Sequence, residues 1–179
     1  MNQSSLSNGC VIIAFEGEVE RLRQCIVSLA DSFSKKVVVS SDDQKVKKIT
    51  TEMGVDHVVF DSQNPTALWQ AGITLHSSPW NLLIRSNEII TAHVREGVLK
   101  KIRSNQTNLG LFPLKPIFVL LRKRLKYALN QELEMPSGLA YFPKDLIHYP
   151  LEKISILSPI EGEYMRYEGD TIADLLKQC

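Results

Sequence analysis

The stretch GCVIIAFEGEVERLRQCIVSLAD, residues 9–31, holds two periods in succession. GCVIIAF (9–15) is a continuous β-branched apolar run, as a strand covered on both faces requires. From residue 18 the spacing changes. Val19, Leu22, Cys25, Ile26 and Leu29 recur at helical intervals through residue 31, which predicts an amphipathic helix. A buried strand feeding a helix over a short link is the opening of a parallel α/β sheet.

The same unit recurs outward along the chain. KKVVVSS (35–41) reads as strand, and DDQKVKKITTEMG (42–54) as a short helix with Asp at its start and Gly54 at its stop. DHVVFDS (56–62) is strand, and PTALWQAGITLHSS (65–78) is helix with Pro65 at its first turn. WNLLIR (80–85) is strand, and TAHVREGVLKKI (91–102) is helix capped by Thr91. Beyond residue 103 the pattern loosens. TNLGLF (107–112) and GLAYFP (138–143) read as strands, PIFVLLRKRLKYALN (116–130) as a helix, and GDTIADLLKQ (169–178) as a short amphipathic helix. No composition shift marks a linker, so residues 1–179 are expected to form one domain with a regular half at 10–103 and a shortened, less regular half at 104–179.

Composition narrows the function classes. Apolar residues make up 44% and charged residues 23%, with a net charge of +1, which leaves no overall bias towards nucleic acid. No apolar run reaches the ~18 residues of a membrane span, and MNQSSLSNG lacks the pattern of a secretory signal. Cys10, Cys25 and Cys179 show no CxxC spacing, and Cys10 and Cys25 sit among apolar residues as reduced core thiols do. A cytoplasmic protein is expected. His57, His76, His93 and His148 form no i, i+4 metal pair, and no P-loop, G-x-S-x-G or G-x-G-x-x-G occurs.

Several local patterns together resemble the family 2 nucleotide-sugar glycosyltransferases of the GT-A fold. Their opening runs roughly V-V-I-P-T-Y-N-E-x-x-x-I-x-x-C-L-x-S-L, and Val11, Ile12, Ile13, Glu18, Leu22, Cys25, Ser28 and Leu29 match it without a gap. Residues 35–54 are similar to the family's second strand and helix. WNLLIRSNE (80–88) is similar to its W-V-L-x-L-D-A-D-E, and the nearest look is to the subgroup that adds sugars to lipopolysaccharide cores. The resemblance implies a GT-A α/β domain whose 10–103 half binds a nucleotide and whose 104–179 half faces the acceptor. It implies a sugar nucleotide as donor, a glycan or lipid-linked acceptor, and Mn or Mg as cofactor.

The functional positions depart from that family. Where an acid holds the base, Ser40 stands, with Asp42 and Asp43 as substitutes if the loop is one residue shorter; both also suit a helix start. The metal-binding D-x-D falls on Arg85, Ser86 and Asn87, followed by Glu88. A hard cation wants charged oxygens, so Asn87 and Glu88 would make at most a weak metal site. Arg85 would repel the ion, but it would also pair bidentately with a diphosphate without metal, or else pair with an acid of the chain itself. The family's Arg-Asn pair falls on Trp69 and Gln70. Its catalytic base would lie near Pro136, where the next residue is Ser137, so no catalytic residue is assigned.

Eight basic residues and no acid lie between Glu96 and Glu132. Arg122, Lys123, Arg124 and Lys126 would let an interfacial helix touch the inner membrane surface or a lipid-linked acceptor, or would simply form its solvated end. Three readings follow: a glycosyltransferase of cell-envelope polysaccharide assembly; a non-catalytic relative that binds a sugar nucleotide, glycan or protein partner; and a different nucleotide-binding α/β protein, which another strand order would reveal.

Overall fold

The computed structural model describes residues 9–76, 78–104, 108–120, 123–124 and 135–169. Strands β1 (Gly9–Ala14), β2 (Lys35–Ser40), β3 (Asp56–Val59) and β4 (Trp80–Arg85) alternate with helices α1 (Val19–Ser28), α2 (Gln44–Glu52), α3 (Pro65–His76) and α4 (Ala92–Arg103), with a two-residue strand β5 (Glu88–Ile89) before α4. β6 (Gly110–Pro113), β7 (Lys115–Leu120), β8 (Lys123–Arg124), β9 (Gly138–Tyr141) and β10 (Glu163–Gly169) follow.

Two sheets result. The main one has the order β3-β2-β1-β4-β9-β6, its first four strands parallel and β9 antiparallel to both neighbours. The smaller one, β5-β10-β7-β8, is mixed. The alternation of β1 divides the core between two faces. Val11 and Ile13 pack with Leu22, Cys25 and Ile26 of α1, Val46 and Ile49 of α2, and Val94 and Val98 of α4. Cys10, Ile12 and Ala14 pack with Leu68, Trp69 and Ile73 of α3 and with Leu151 and Ile154. Gly72 lets α3 approach closely, since a Cβ there would lie 2.5 Å from Cγ2 of Ile12. The expected buried α/β architecture with helices on both faces is what the chain adopts.

One element differs from expectation. Residues 116–120 and 123–124 are strand, not the first part of a helix. The β-branched and aromatic residues of PIFVLL suit a strand, and β7 finds a partner in β10, over the register Glu163↔Lys115 to Gly169↔Leu120. A short apolar run does not separate helix from strand by period alone. The interfacial helix expected to carry Lys123 and Arg124 therefore does not form there. Arg122, residues 125–130 (Lys126 among them) and residues 170–178 of the expected helix 169–178 lie outside the described residues, while Gly169 ends β10. Among the described residues no helix is long and apolar enough to cross a membrane.

Candidate functional site

In an open parallel sheet the polar residues that meet a ligand stand past the carboxyl ends of the strands. Here those ends are Ala14, Ser40, Val59 and Arg85, with β1 between β2 and β4. The backbone ties the loops together: Phe15 N–H donates to Val39 O at 3.0 Å, Phe60 N–H to Ser40 O at 2.8 Å, and Ser86 N–H to Ala14 O at 3.0 Å. The sequence candidates Ser40, Asp42, Asp43, Arg85, Asn87 and Glu88 stand at or just past the ends of β2 and β4. What they do there follows from their partners.

Arg85 is only 3% exposed. It lies on the α3 face of the sheet, with its guanidinium carbon 5.7 Å from the centre of the Trp69 ring and Nη1 3.6 Å from Oε1 of Glu16. Glu16 itself remains 28% exposed. Ser86 closes the same corner, since its hydroxyl accepts from Glu16 N–H at 2.8 Å and donates to Glu16 O at 2.7 Å. Asn87 faces the small sheet. Its Nδ2 donates to Tyr167 O at 2.9 Å, Tyr167 N–H donates back to Asn87 O at 3.0 Å, and its Oδ1 is buried without a hydrogen bond among the described residues.

Glu88 is fully buried. One oxygen accepts from Arg85 N–H at 3.0 Å; the other accepts from Ser137 Oγ at 2.8 Å and Tyr164 Oη at 3.1 Å. Burial raises its carboxyl above the ordinary value, against the pull of Arg166, of the hydrogen bonds from Arg85 N–H and Ser137 Oγ, and of the Arg85 charge. The Tyr164 hydroxyl is pushed well up as well, first by burial and then by Glu88. Glu88 is thus a knot joining β4, the residue before β9, and β10.

The positions that carry the family resemblance on α1 serve the same corner. Cys25 Sγ lies 3.5 Å from Arg85 O, and Ser28 Oγ accepts from Ile90 N–H at 3.0 Å. Arg95 of α4 reaches back to Ser28 O and Ile90 O. Burial pushes the Cys25 thiol well above its usual range and that of Cys10 up to about 12, so both stay protonated packing groups.

At the end of β2, Ser40 is buried and its Oγ lies 2.8 Å from Nε2 of His57 and 2.6 Å from Ser41 O. Desolvation holds the His57 ring below its ordinary value, partly offset by Asp42 and Asp43. Asp43 caps α2, its Oδ1 accepting from Lys45 N–H at 2.7 Å and Val46 N–H at 3.4 Å, while Asp42 is exposed. Replacing Asp43 by alanine is expected to cost about 1 kcal/mol in urea unfolding, the usual loss for an N-cap.

These residues do not fit a divalent cation. A hard ion needs several oxygen ligands. At positions 85–88 only Asn87 Oδ1 is uncommitted, Glu88 has both oxygens engaged inside the fold, and the Arg85 cation stands beside them. Among the described residues no group of three or more His, Cys, Asp or Glu is placed to hold a metal. Sequence reasoning missed Glu16, Tyr164 and Tyr167. Glu16, two residues past β1, was open to the strand-end rule; the other two lie about 80 residues from their partners and carry no local signal.

No protein-family profile matches the chain, and no curated protein matches it in sequence. Solved structures do. Residues 1–349 of S. aureus TarS superpose with a TM-score of 0.55 at 15% identity, over 95% of this chain and 62% of that one. The same fragment in complex with UDP gives 0.56 at 13% identity, over 94% and 62%. CMP:2-keto-3-deoxy-manno-octonic acid synthetase complexed with CTP gives 0.54 at 13% identity, over 96% and 97%. This chain therefore spans under two thirds of the TarS fragment. At these identities the likeness is one of fold, a nucleotide-sugar transferase-like α/β domain of the GT-A kind.

Proposed function

We propose that this protein is a non-catalytic relative of the nucleotide-sugar transferases, a binding or regulatory protein built on their fold. The observation that carries this reading is Glu88. It is the one carboxylate in the 85–88 segment, it is fully buried, and both its oxygens accept hydrogen bonds from the chain. Arg85, Ser86 and Asn87 are likewise engaged with Glu16 and Tyr167. Side chains that would be expected to reach for a diphosphate hold the strand end together instead. A protein of this kind would act through a bound glycan or protein partner in cell-envelope polysaccharide assembly.

A second reading has one observation in its favour. The Arg85 cation sits at the carboxyl end of β4, and its partner Glu16 is partly exposed at 3.6 Å. If Glu16 turned to solvent, a diphosphate would take its place on the guanidinium, giving a metal-free donor site. The protein would then transfer a sugar from a nucleotide donor to a glycan or lipid-linked acceptor, as the lipopolysaccharide-core subgroup does. Mn or Mg enters only if Asn87 and Glu88 rearrange.

Calorimetric titration with UDP, GDP and their sugars, with Mn²⁺ and then with chelator, separates these. The non-catalytic reading expects no metal-dependent binding. Binding that survives chelation and is lost in Arg85→Ala would establish the metal-free donor site. Binding that requires Mn²⁺ would overturn both.

A further inference from the structure

An open cleft of about 610 Å³ lies along α3, away from the polar knot at the end of β4. Its volume is that of a ligand site. Thr66, Gln70 and Thr74 line it at i, i+4 and i+8, one polar stripe about 12 Å long on a helix. Ala67 and Ala71 lie beside that stripe and keep the helix surface low. Phe60, 42% exposed, adds an aromatic wall, its backbone pinned by the bond to Ser40 O. Oε1 of Gln70 accepts from Leu151 N–H at 2.7 Å, which fixes the amide. The two N–H donors of that amide, and the hydroxyls of Thr66 and Thr74, have no partner among the described residues.

This lining selects a ligand chemistry. An acyl chain would cover the amide and hydroxyls without satisfying them, at a loss for each. A phosphate or nucleotide would meet Glu152 and no lysine or arginine. A pyranose ring has a C–H face for the Phe60 ring and hydroxyls that both donate and accept, matching the stripe. We propose that the α3 groove binds a neutral oligosaccharide through Phe60, Thr66, Gln70 and Thr74. The proposal rests on the groove alone and not on the reading of the strand end.

The test is titration of the ¹⁵N-labelled full chain with maltotriose, cellotriose and chitotriose, followed by amide shifts, with dodecanoate and UDP as separate titrants. At least one sugar is expected to move the amides of residues 66–75, Phe60, His148, Tyr149, Leu151 and Glu152, together with the Gln70 side-chain amide. Gln70→Glu keeps the acceptor for Leu151 N–H and removes the donors, so it should weaken that sugar by about tenfold or more. Thr74→Val, at an exposed position, removes one hydroxyl at constant shape and should weaken it several-fold. Three outcomes would overturn the proposal: no sugar moves these amides, dodecanoate moves them while sugars do not, or both variants bind the sugar as the parent does. Shifts with UDP at residues 14–17 and 85–88 report on the strand end alone, and the groove is decided by the sugar and dodecanoate titrations.

Discussion

Glu88→Ala is expected to destabilise the protein by about 3–5 kcal/mol, the loss seen when one partner of a buried charged network is removed. The substitution leaves three donors, Arg85 N–H, Ser137 Oγ–H and Tyr164 Oη–H, facing a space sealed from water. It also removes the negative charge that faces Arg166 and Arg85. Urea unfolding should show a lower midpoint with an unchanged slope. A loss under about 1 kcal/mol would mean that water replaces the carboxylate, and the knot would then have no structural weight.

The same residue fixes a pH dependence. Burial raises the folded-state carboxyl above 4.5, its ordinary value. The native chain therefore holds this proton more tightly than the unfolded chain. Between 4.5 and the raised value the native state carries the extra proton, so stability falls as pH rises through that window. Below 4.5 the group is neutral in both states and its charge penalty is absent. Glu88→Gln removes the titration. The stability advantage of the parent over this variant should be greatest at low pH, shrink as pH rises, and then level off. An advantage that grows with pH would show that Arg166 and Arg85 outweigh burial.

How much of this was legible depends on how far apart the interacting residues lie. Strand β4 ends at Arg85 as its apolar run does, and α4 starts behind Thr91, whose hydroxyl accepts from Val94 N–H. Asp43 caps α2, and Gly54 after it takes a positive φ of 63°. Each is a local event, written within four or five residues. The small sheet is different. β5 is two residues long and pairs with β10 some 75 residues later, so neither period nor composition announces it. The site divides in the same way. The strand end that holds Arg85, Asn87 and Glu88 could be read from WNLLIRSNE, but not that Ser137 and Tyr164 close over Glu88, because that contact exists only once β9 and β10 are in place. Whether a polar residue at a strand end points outward or inward is decided by the partners that fold over it.

Trp69 carries the second large effect. By resemblance its position belongs to the family's Arg-Asn pair before the fourth strand. In this chain the indole is fully buried between α3 and the sheet, with Nε1–H donating to Ile84 O at 2.9 Å and its ring facing Arg85. Trp69→Ala is expected to cost about 3–5 kcal/mol in urea unfolding, through lost apolar burial and the cavity left behind. Trp69→Phe keeps most of the volume and strands Ile84 O, so it should cost about 1–3 kcal/mol. Trp69→Arg separates a core position from a ligand position. If the position still faced a diphosphate, arginine would be tolerated at little cost and would strengthen UDP binding. If it is core, the new cation is buried next to Arg85 with no carboxylate to spare, since Glu16 already pairs with Arg85 and Glu88 is spent on three donors. The expected result is a loss at least as large as that of Trp69→Ala, with no gain in nucleotide binding by calorimetry. That outcome would mean position 69 is part of the core, where the indole holds the end of β4 from the α3 face through Ile84 O and Arg85.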